Sequence, residues 1–127
     1  MAIRVVLADD HKLIRDGLRA LFAQNPQLEL VGEAADGQEA LELADQLLPD
    51  VVVMDITMPR LDGPDATKQI TTRHPQIKVI ALTMHTDRYY VDKMKAAGAS
   101  AHVVKEAAYD ALVHAIETVH AGGSYFP

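Results

Sequence analysis

The sequence predicts an α/β domain in which a parallel sheet of five strands is covered on both faces by five amphipathic helices. Five short apolar segments alternate along the chain with segments whose apolar residues recur at helical spacing. Most of the apolar segments are continuous and rich in β-branched residues, as expected of strands buried on both faces. Right-handed crossover connections leave few ways to arrange such elements. With 127 residues, the chain is expected to form one domain.

The predicted strands end where a polar residue follows an apolar run. They span residues 3–8, 28–34, 51–54, 77–82 and 101–104. The second strand alternates imperfectly between apolar and polar residues, whereas the third is continuous from Val51 to Met54 and leads directly into Asp55. The third strand is therefore expected to be buried on both faces.

The predicted helices begin and end at residues that favour those positions. Asp36 and Glu39 form a capping box at the start of the second helix, Gly63-Pro64 opens the third, and the fourth spans residues 87–97. The helices end at Asn25-Pro26, Pro49, His74-Pro75, Gly98 and Gly122-Gly123. The residues predicted to face inward are Ile14, Gly17, Leu18 and Leu21, then Ala40, Leu41, Ala44, Leu47 and Leu48, then Ala66 and Ile70, then Val91, Met94 and Ala97, and finally Leu112, Val113, Ile116 and Val119. The third helix has the weakest apolar stripe and is expected to be the least buried.

Composition and charge exclude several classes of function. The net charge of −6 argues against direct binding of a nucleic-acid backbone by this chain. There is no cysteine, so neither a disulfide framework nor a thiolate zinc site is expected. We identify no signal peptide and no membrane span, and we expect a cytoplasmic location.

Polar side chains follow four of the five predicted strands. They are Asp9 and Asp10 after the first strand, Asp55 after the third, Thr83 after the fourth and Lys105 after the fifth. All strands of a parallel sheet end at the same edge, so these groups are expected to lie close together. Clustered carboxylates repel one another unless a cation is present, and Mg²⁺ suits such a site. If Asp10 and Asp55 share one ion, the first and third strands are neighbours, which implies the strand order 2-1-3-4-5.

A lysine and a hydroxyl beside a metal-bound carboxylate are the groups that a phosphoryl group requires. Asp55 is then the candidate nucleophile, which would form an aspartyl-phosphate. A phosphatase that uses an Asp-x-Asp pair is the alternative from another class, but Thr57 stands where its second Asp would be. A nucleotide- or flavin-binding fold would need a glycine-rich loop after the first strand, and none is present. The six histidines are scattered along the sequence, so a histidine metal site is not expected.

The chain resembles the receiver domains of two-component response regulators over essentially its whole length. The matching segments are residues 5–11, residues 54–59 with Asp62-Gly63, residues 81–85 and residues 103–106. The resemblance implies that Asp55 accepts phosphate from a phosphohistidine of a sensor histidine kinase, and that the domain is a signalling switch and not an enzyme. It implies that Asp9, Asp10, Asp55 and the backbone carbonyl of Thr57 hold Mg²⁺, that Thr83 bonds the phosphoryl oxygen, and that Lys105 pairs with it. The flavodoxin-like strand order is known for a chemotaxis member of this family, so it comes partly from the resemblance.

The details of the motifs resemble the NarL/LuxR-type subgroup most. In that subgroup a helix-turn-helix DNA-binding domain follows the receiver domain. We therefore expect residues 1–121 to form the receiver domain and residues 122–127 to begin a linker toward a DNA-binding domain outside this sequence, which would regulate transcription. Dimerisation is expected through helix 4, strand 5 and helix 5, or through helices 1 and 5. A structural receiver that has lost phosphorylation remains the other possibility.

Four positions depart from the usual receiver pattern. His102 stands where an aromatic switch residue usually lies, which predicts a weakened, pH-sensitive or rerouted switch. Glu106 replaces the usual proline after Lys105, so the geometry of that peptide bond is left open. Thr57 and His85 should flank the access of water to the phosphate and influence its lifetime.

Overall fold

A computed structural model describes residues 2–83, 88–105 and 109–127 of the chain. Five parallel strands form one sheet in the order β2-β1-β3-β4-β5, as predicted. The strands are β1 (Ile3–Ala8), β2 (Leu28–Ala34), β3 (Val51–Asp55), β4 (Lys78–Thr83) and β5 (Ala101–Val104). The strand β3 includes Asp55, and β4 lies one residue later than the sequence predicted.

The register of the strands brings the site residues to one edge of the sheet. Asp55 is the Cα partner of Leu82 in β4, and Thr83 is the partner of Val104 in β5. Lys105 therefore follows β5 at the level where β3 and β4 end. On the other side of β3, Ala8 at the end of β1 pairs with Met54.

Five helices cover the two faces of the sheet. They are α1 (Lys12–Phe22), α2 (Gly37–Leu47), α3 (Gly63–Arg73), α4 (Arg88–Ala96) and α5 (Tyr109–His120). The core between the sheet and α2, α3 and α4 contains the side chains of Val52 and Met54. The core between the sheet and α1 and α5 contains those of Val51 and Val53. Consecutive residues of β3 thus point into opposite cores, which explains why this strand is a continuous apolar run.

The capping box of α2 is confirmed. The backbone N–H of Glu39 donates to Asp36 Oδ1 at 2.8 Å, and Glu39 Oε1 accepts from the backbone N–H of Ala35 at 2.7 Å. The hydrogen bond accepted by the Glu39 side chain thus comes from Ala35, the residue before the N-cap. The chain leaves α2 through Leu48, which adopts a left-handed conformation and is 50% exposed. The expectation that Leu48 faces inward is therefore wrong.

The expectation that α3 is the least buried helix is also wrong. Five of its residues are buried, namely Gly63, Pro64, Ala66, Thr67 and Ile70. Within the described residues, α1 and α4 bury one residue each, Phe22 and Met94. The small side chains at the start of α3 allow its backbone to approach the sheet closely, and a count of large apolar residues does not detect this kind of burial.

The inward face of α1 differs from the predicted stripe. Ile14 and Leu18 are partly buried, whereas Gly17 and Leu21 are exposed and Phe22 fills the core. A groove of about 230 Å³ remains between α1, β5 and α5, and Leu13, which is 83% exposed, lies on its rim.

The last residues of the chain lie along the outer edge of β5. The backbone N–H of His102 donates to the carbonyl of Tyr125 at 2.9 Å, and the N–H of Tyr125 donates to the carbonyl of Ser100 at 3.0 Å. The Lys95 ammonium lies 4.8 Å from the centroid of the Phe126 ring. The segment therefore covers part of an edge that would otherwise expose unpaired backbone groups. That residues 122–127 begin a linker stays a prediction.

Deleting residues 124–127 is expected to lower the free energy of unfolding by about 1–2 kcal/mol, because two backbone hydrogen bonds contribute about 0.5–1.5 kcal/mol each, less the entropy of ordering the segment. Urea unfolding followed by circular dichroism measures this change. The control is Phe126→Ala, which keeps both hydrogen bonds and should have a smaller effect. A deletion variant with the urea midpoint of the full chain would contradict the docked position of the segment.

No helix among the described residues is long and apolar enough to cross a membrane.

Candidate functional site

The site lies at the edge of the sheet where β1, β3, β4 and β5 end. The structure brings together Asp9, Asp10, Asp55 and Lys105, as the sequence predicted. The Lys105 ammonium lies 2.7 Å from Asp9 Oδ2 and 3.4 Å from Asp55 Oδ2. Its side chain is 3% exposed. A nearly buried ammonium thus bridges two carboxylates that belong to different strand ends.

Asp9 is completely buried and is held from several directions. Its Oδ1 accepts a hydrogen bond from the backbone N–H of His11 at 2.7 Å. Its own N–H donates to the carbonyl of Ala34 at 3.0 Å, and its carbonyl accepts from the Arg15 guanidinium at 2.5 Å. These bonds fix the Asp9 carboxylate in position, whereas the Asp10 side chain next to it is 34% exposed.

Asp55 is 5% exposed. Burial, together with the negative charge of Asp9, raises the pKa of Asp55 to about 6, although Lys105 opposes the shift. The carboxylate is therefore held in a site that does not satisfy its charge fully. A buried acid with a perturbed pKa beside a specific charged partner is a candidate functional group.

His11 belongs to the same cluster, although it was not among the predicted site residues. Its Nδ1 lies 2.8 Å from Asp9 Oδ1, 3.2 Å from Asp10 Oδ1 and 3.9 Å from Asp55 Oδ2. The six histidines are scattered along the sequence, so their spacing gives no sign of this cluster. One feature of the sequence could have identified His11. It directly follows two acidic residues at the end of a strand, which allows a mixed imidazole and carboxylate cluster.

The cluster has a donor set that fits a divalent cation. Asp9, Asp10, His11 and Asp55 each offer one ligand atom, and these atoms lie within 4.8 Å of one another. The Oδ2 atoms of Asp9 and Asp55 are buried, and both form ion pairs with the Lys105 ammonium but accept no hydrogen bond of regular geometry from the described residues. Buried carboxylate oxygens of this kind need a positive charge, and Lys105 supplies only one for several acidic groups.

The loop after β3 is held against the start of α3. The N–H of Gly63 donates to the carbonyl of Ile56 at 2.8 Å. A Cβ atom on Gly63 would lie 2.3 Å from the carbonyl oxygen of Asp55. Thr57, whose carbonyl was the predicted further ligand, lies in this loop two residues after Asp55 and is exposed.

The two predicted switch residues are buried, Thr83 at the end of β4 and His102 within β5. Thr83 is 5% exposed, and its carbonyl accepts a hydrogen bond from the N–H of Lys105 at 2.6 Å. His102 is 4% exposed and pairs with Ala81, which belongs to the core beneath α2, α3 and α4. His85, Glu106 and the peptide bond between Lys105 and Glu106 lie outside the described residues, as does Asp87, the predicted start of helix 4.

Comparison with known proteins places this arrangement in a family. Residues 5–117 match the response regulator receiver domain family. The chain belongs to that family. Receiver domains have a signalling role, which favours this interpretation over the phosphatase and nucleotide-binding alternatives.

Similar proteins include transcriptional regulators. The receiver domain is 41% identical over 123 residues to the transcriptional regulatory protein DegU of Brevibacillus brevis, covering 97% of this chain and 52% of DegU. It is 40% identical over 123 residues to the response regulator GacA of Pseudomonas viridiflava, covering 97% of this chain and 58% of GacA. This chain thus spans about half the length of the curated relatives that it matches.

Solved structures agree with the fold and with the predicted subgroup. A LuxR-family two-component response regulator from Aurantimonas sp. SI85-9A1 has a TM-score of 0.92 at 38% identity, covering 98% of this receiver domain and 89% of that chain. The signal receiver domain of the putative response regulator NarL from Mycobacterium tuberculosis has a TM-score of 0.90 at 30% identity, covering 95% of this chain and 98% of that one. The receiver domain is thus of the NarL/LuxR type.

Proposed function

We propose that this receiver domain is a phosphoacceptor switch in which Asp55 takes a phosphoryl group from a sensor histidine kinase. The observation that supports this most directly is the position of Asp55: it is buried, beside Asp9, with the Lys105 ammonium 3.4 Å from its Oδ2. An acidic oxygen that lacks a full complement of partners and lies next to a fixed positive charge is suited to attack an anionic phosphoryl group.

The transfer step exchanges one P–N bond for one O–P bond, and water supplies the proton. A carboxylate oxygen of Asp55 attacks the phosphorus of a phosphohistidine, a new O–P bond forms, and the P–N bond to the imidazole breaks. The departing imidazole nitrogen keeps the electron pair and takes a proton from water. Without a cation, the pKa of Asp55 is raised to about 6, and a bound cation would favour the ionised carboxylate that attacks. Lys105 would neutralise part of the charge on the phosphoryl oxygens.

The acidic cluster would hold Mg²⁺ through Asp9, Asp10 and Asp55, with the backbone carbonyl of Thr57 as a further ligand. When bound, the ion supplies charge neutralisation for the carboxylates and for a phosphoryl oxygen. The buried Oδ2 atoms of Asp9 and Asp55, which share the single positive charge of Lys105, support this assignment.

Thr83 and His102 would transmit the effect of phosphorylation from Asp55 to the rest of the domain. The Thr83 hydroxyl would bond a phosphoryl oxygen, and the movement of β4 toward the phosphate would alter the packing around His102. The hydrogen bond between the N–H of Lys105 and the carbonyl of Thr83 supports a mechanical link between the two strand ends. The added negative charge would thereby change the face formed by α4, β5 and α5.

In the whole protein, the receiver domain would control a helix-turn-helix domain that binds DNA and regulates transcription. This follows from the NarL/LuxR-type relatives, which extend well beyond the region that matches this chain. The related RcsB is described as dimers bound to DNA. A homodimer could form through α4, β5 and α5, where Tyr89 is 60% exposed, or through α1 and α5, where Leu13 is 83% exposed.

The test is phosphorylation by acetyl phosphate, with and without Mg²⁺, followed by intact mass spectrometry. We expect the wild-type chain to gain one phosphoryl group only when Mg²⁺ is present, and Asp55→Asn to gain none. Asp65→Asn, which changes an exposed carboxylate in the first turn of α3, is the matched control and should behave like the wild type.

Two results would contradict the proposal. An adduct of equal yield on Asp55→Asn would place the phosphoryl group on another residue. The absence of any adduct on the wild type, with acetyl phosphate and with beryllofluoride, would favour a structural receiver that has lost phosphorylation.

A further inference from the structure

We propose that Arg15 is a positioning residue of the cation site and that it sets the affinity for Mg²⁺ by orienting the peptide between Asp9 and Asp10. Arg15 does not itself contact the ion. This inference rests on the part of the proposed function that assigns Mg²⁺ to the acidic cluster. It does not depend on Asp55 being the phosphoacceptor.

The first observation concerns the carbonyl group of Asp9. Asp9 is completely buried, and within the described residues no backbone N–H donates to its carbonyl. The Nη1 atom of Arg15 donates to this oxygen at 2.5 Å. A buried carbonyl requires a partner, and a hydrogen bond from a charged donor is stronger than one from a neutral donor. Arg15 therefore fixes the direction of the peptide that joins Asp9 to Asp10.

The orientation of this peptide matters because both of its residues are predicted ligands. The Asp9 carboxylate has anchors of its own, the backbone N–H of His11 at 2.7 Å and the Lys105 ammonium at 2.7 Å. The Asp10 side chain is 34% exposed, so its direction depends more on the backbone that carries it. Rotation of the peptide would turn the Asp10 carboxylate away from Asp55. Mg²⁺ requires near-ideal octahedral geometry, and such a displacement weakens its binding.

The Arg15 side chain is itself held in place. Its Nε lies 3.7 Å from Oε1 of Glu33 in β2, and the two side chains are 17% and 24% exposed. Its backbone N–H donates to the carbonyl of His11 at 3.1 Å. The planar guanidinium can contact a carbonyl and a carboxylate at once in a fixed geometry. The helix α1 and the strand β2 thus hold the donor that faces the Asp9 carbonyl.

A second arginine separates the contact with Asp9 from the effect of charge. Among the described residues, the Arg15 guanidinium forms its ion pair with Glu33 and none with the acidic cluster. Arg19, one turn later in α1, also pairs with Glu33, at 3.2 Å, but makes no bond to Asp9 within the same part of the chain. The two arginines thus share a helix, a charge and an ionic partner, and they differ in the contact with Asp9.

The expected effect is a loss of Mg²⁺ affinity. Loss of a group that orients a metal ligand costs about 10–100-fold in affinity, so Arg15→Met, which keeps an unbranched apolar stem, should weaken Mg²⁺ binding by about tenfold. Arg19→Met is the matched control and should stay within about twofold of the wild type, because an exposed ion pair contributes little. Arg15→Lys keeps a charged donor but lacks the planar fork, so its affinity should lie between those of the wild type and Arg15→Met.

The experiment is urea unfolding of the chain at rising MgCl₂ concentrations, with EDTA as the zero point. An ion that binds the folded state stabilises it according to its concentration and dissociation constant, so the series gives the Mg²⁺ affinity of each variant. Phosphorylation by acetyl phosphate over the same concentrations is the second readout. For Arg15→Met, the Mg²⁺ concentration that gives half the maximal rate should rise about tenfold, whereas the rate at saturating Mg²⁺ should stay near that of the wild type. A role in stability alone would lower the urea midpoint in EDTA and leave both Mg²⁺ dependences unchanged.

Three results would overturn the inference. If Arg15→Met and Arg15→Lys bind Mg²⁺ with the wild-type affinity, the contact with Asp9 does not set that affinity, while the Mg²⁺ site itself stands. If Arg15→Met and Arg19→Met weaken binding equally, the loss comes from the removed charge. If Mg²⁺ does not stabilise the wild type, this inference and the Mg²⁺ assignment both fail, and the mass-spectrometric test decides separately whether Asp55 is phosphorylated.

Discussion

The Asp55→Asn variant is expected to be more stable than the wild type by about 2–3 kcal/mol at pH 7.5 in the absence of divalent cations. Burial raises the pKa of Asp55 to about 6 in the folded protein. A shift of about two pH units corresponds to roughly 3 kcal/mol of differential interaction between the two protonation states. Because the folded state favours the protonated acid, the ionised carboxylate destabilises the fold, and an uncharged amide removes this cost.

The pH dependence of the stabilisation by Asp55→Asn follows from the raised pKa of Asp55. The folded pKa lies above the unfolded one, so the wild type loses stability as the pH rises from about 4 to about 6, and the full penalty is present above pH 6. The stability difference between Asp55→Asn and the wild type should therefore be largest above pH 6 and vanish below about pH 4. Urea unfolding at several pH values in the presence of EDTA measures it.

Asp16→Asn is the control for this experiment. A hydrogen bond from Lys12 lowers the pKa of the surface residue Asp16, which is the opposite direction. The Asp16→Asn substitution should therefore give no stabilisation at pH 7.5. An Asp55→Asn variant with the stability of the wild type at pH 7.5 would show that the site satisfies the charge of Asp55.

Gly63→Ala is expected to lower the free energy of unfolding by about 1–3 kcal/mol or more, the usual cost of forcing an added group into a packed interior. The new Cβ would lie 2.3 Å from the carbonyl oxygen of Asp55 and 2.8 Å from the Cα of Ile56. Both neighbours are backbone atoms, and the N–H of Gly63 holds the loop to its position by a hydrogen bond to Ile56. The strain therefore falls on the segment that carries Asp55, and phosphorylation by acetyl phosphate should slow as well.

Gly17→Ala is the matched control. Gly17 lies on the exposed side of α1, and a Cβ atom there would meet no described heavy atom within 4 Å. Alanine in a helix interior is more favourable than glycine by about 0.5–1 kcal/mol, so this variant should be slightly more stable than the wild type. Equal urea midpoints for Gly63→Ala and the wild type would mean that α3 can withdraw from the sheet without cost.

Much of the fold and of the site followed from local patterns. The continuous apolar run before Asp55, the capping box at Asp36 and the proline in the first turn of α3 each indicated an element that the structure contains. The same patterns placed a polar residue after four strands. Parallel strands deliver such residues to one edge, so the grouping of Asp9, Asp55 and Lys105 was predictable from the sequence.

The errors share one cause. The burial of α3 depends on small residues that let backbones approach, and the exposure of Leu21 depends on where α1 lies relative to α5. Neither property is encoded in the spacing of apolar residues along one helix. His11 was missed for a similar reason, because its partners come from two different strand ends.

The sequence by itself determined the element order, the edge of the sheet that carries the acidic residues and the family, since these depend on local periodicity and on motifs. Only the tertiary structure decided how deeply each group is buried, that His11 joins the carboxylates, and that Tyr125 pairs with the edge of β5. Burial and charge contacts set the pKa of Asp55 and the ligands available to a cation. Those quantities depend on distances between residues far apart in the chain, which packing alone establishes.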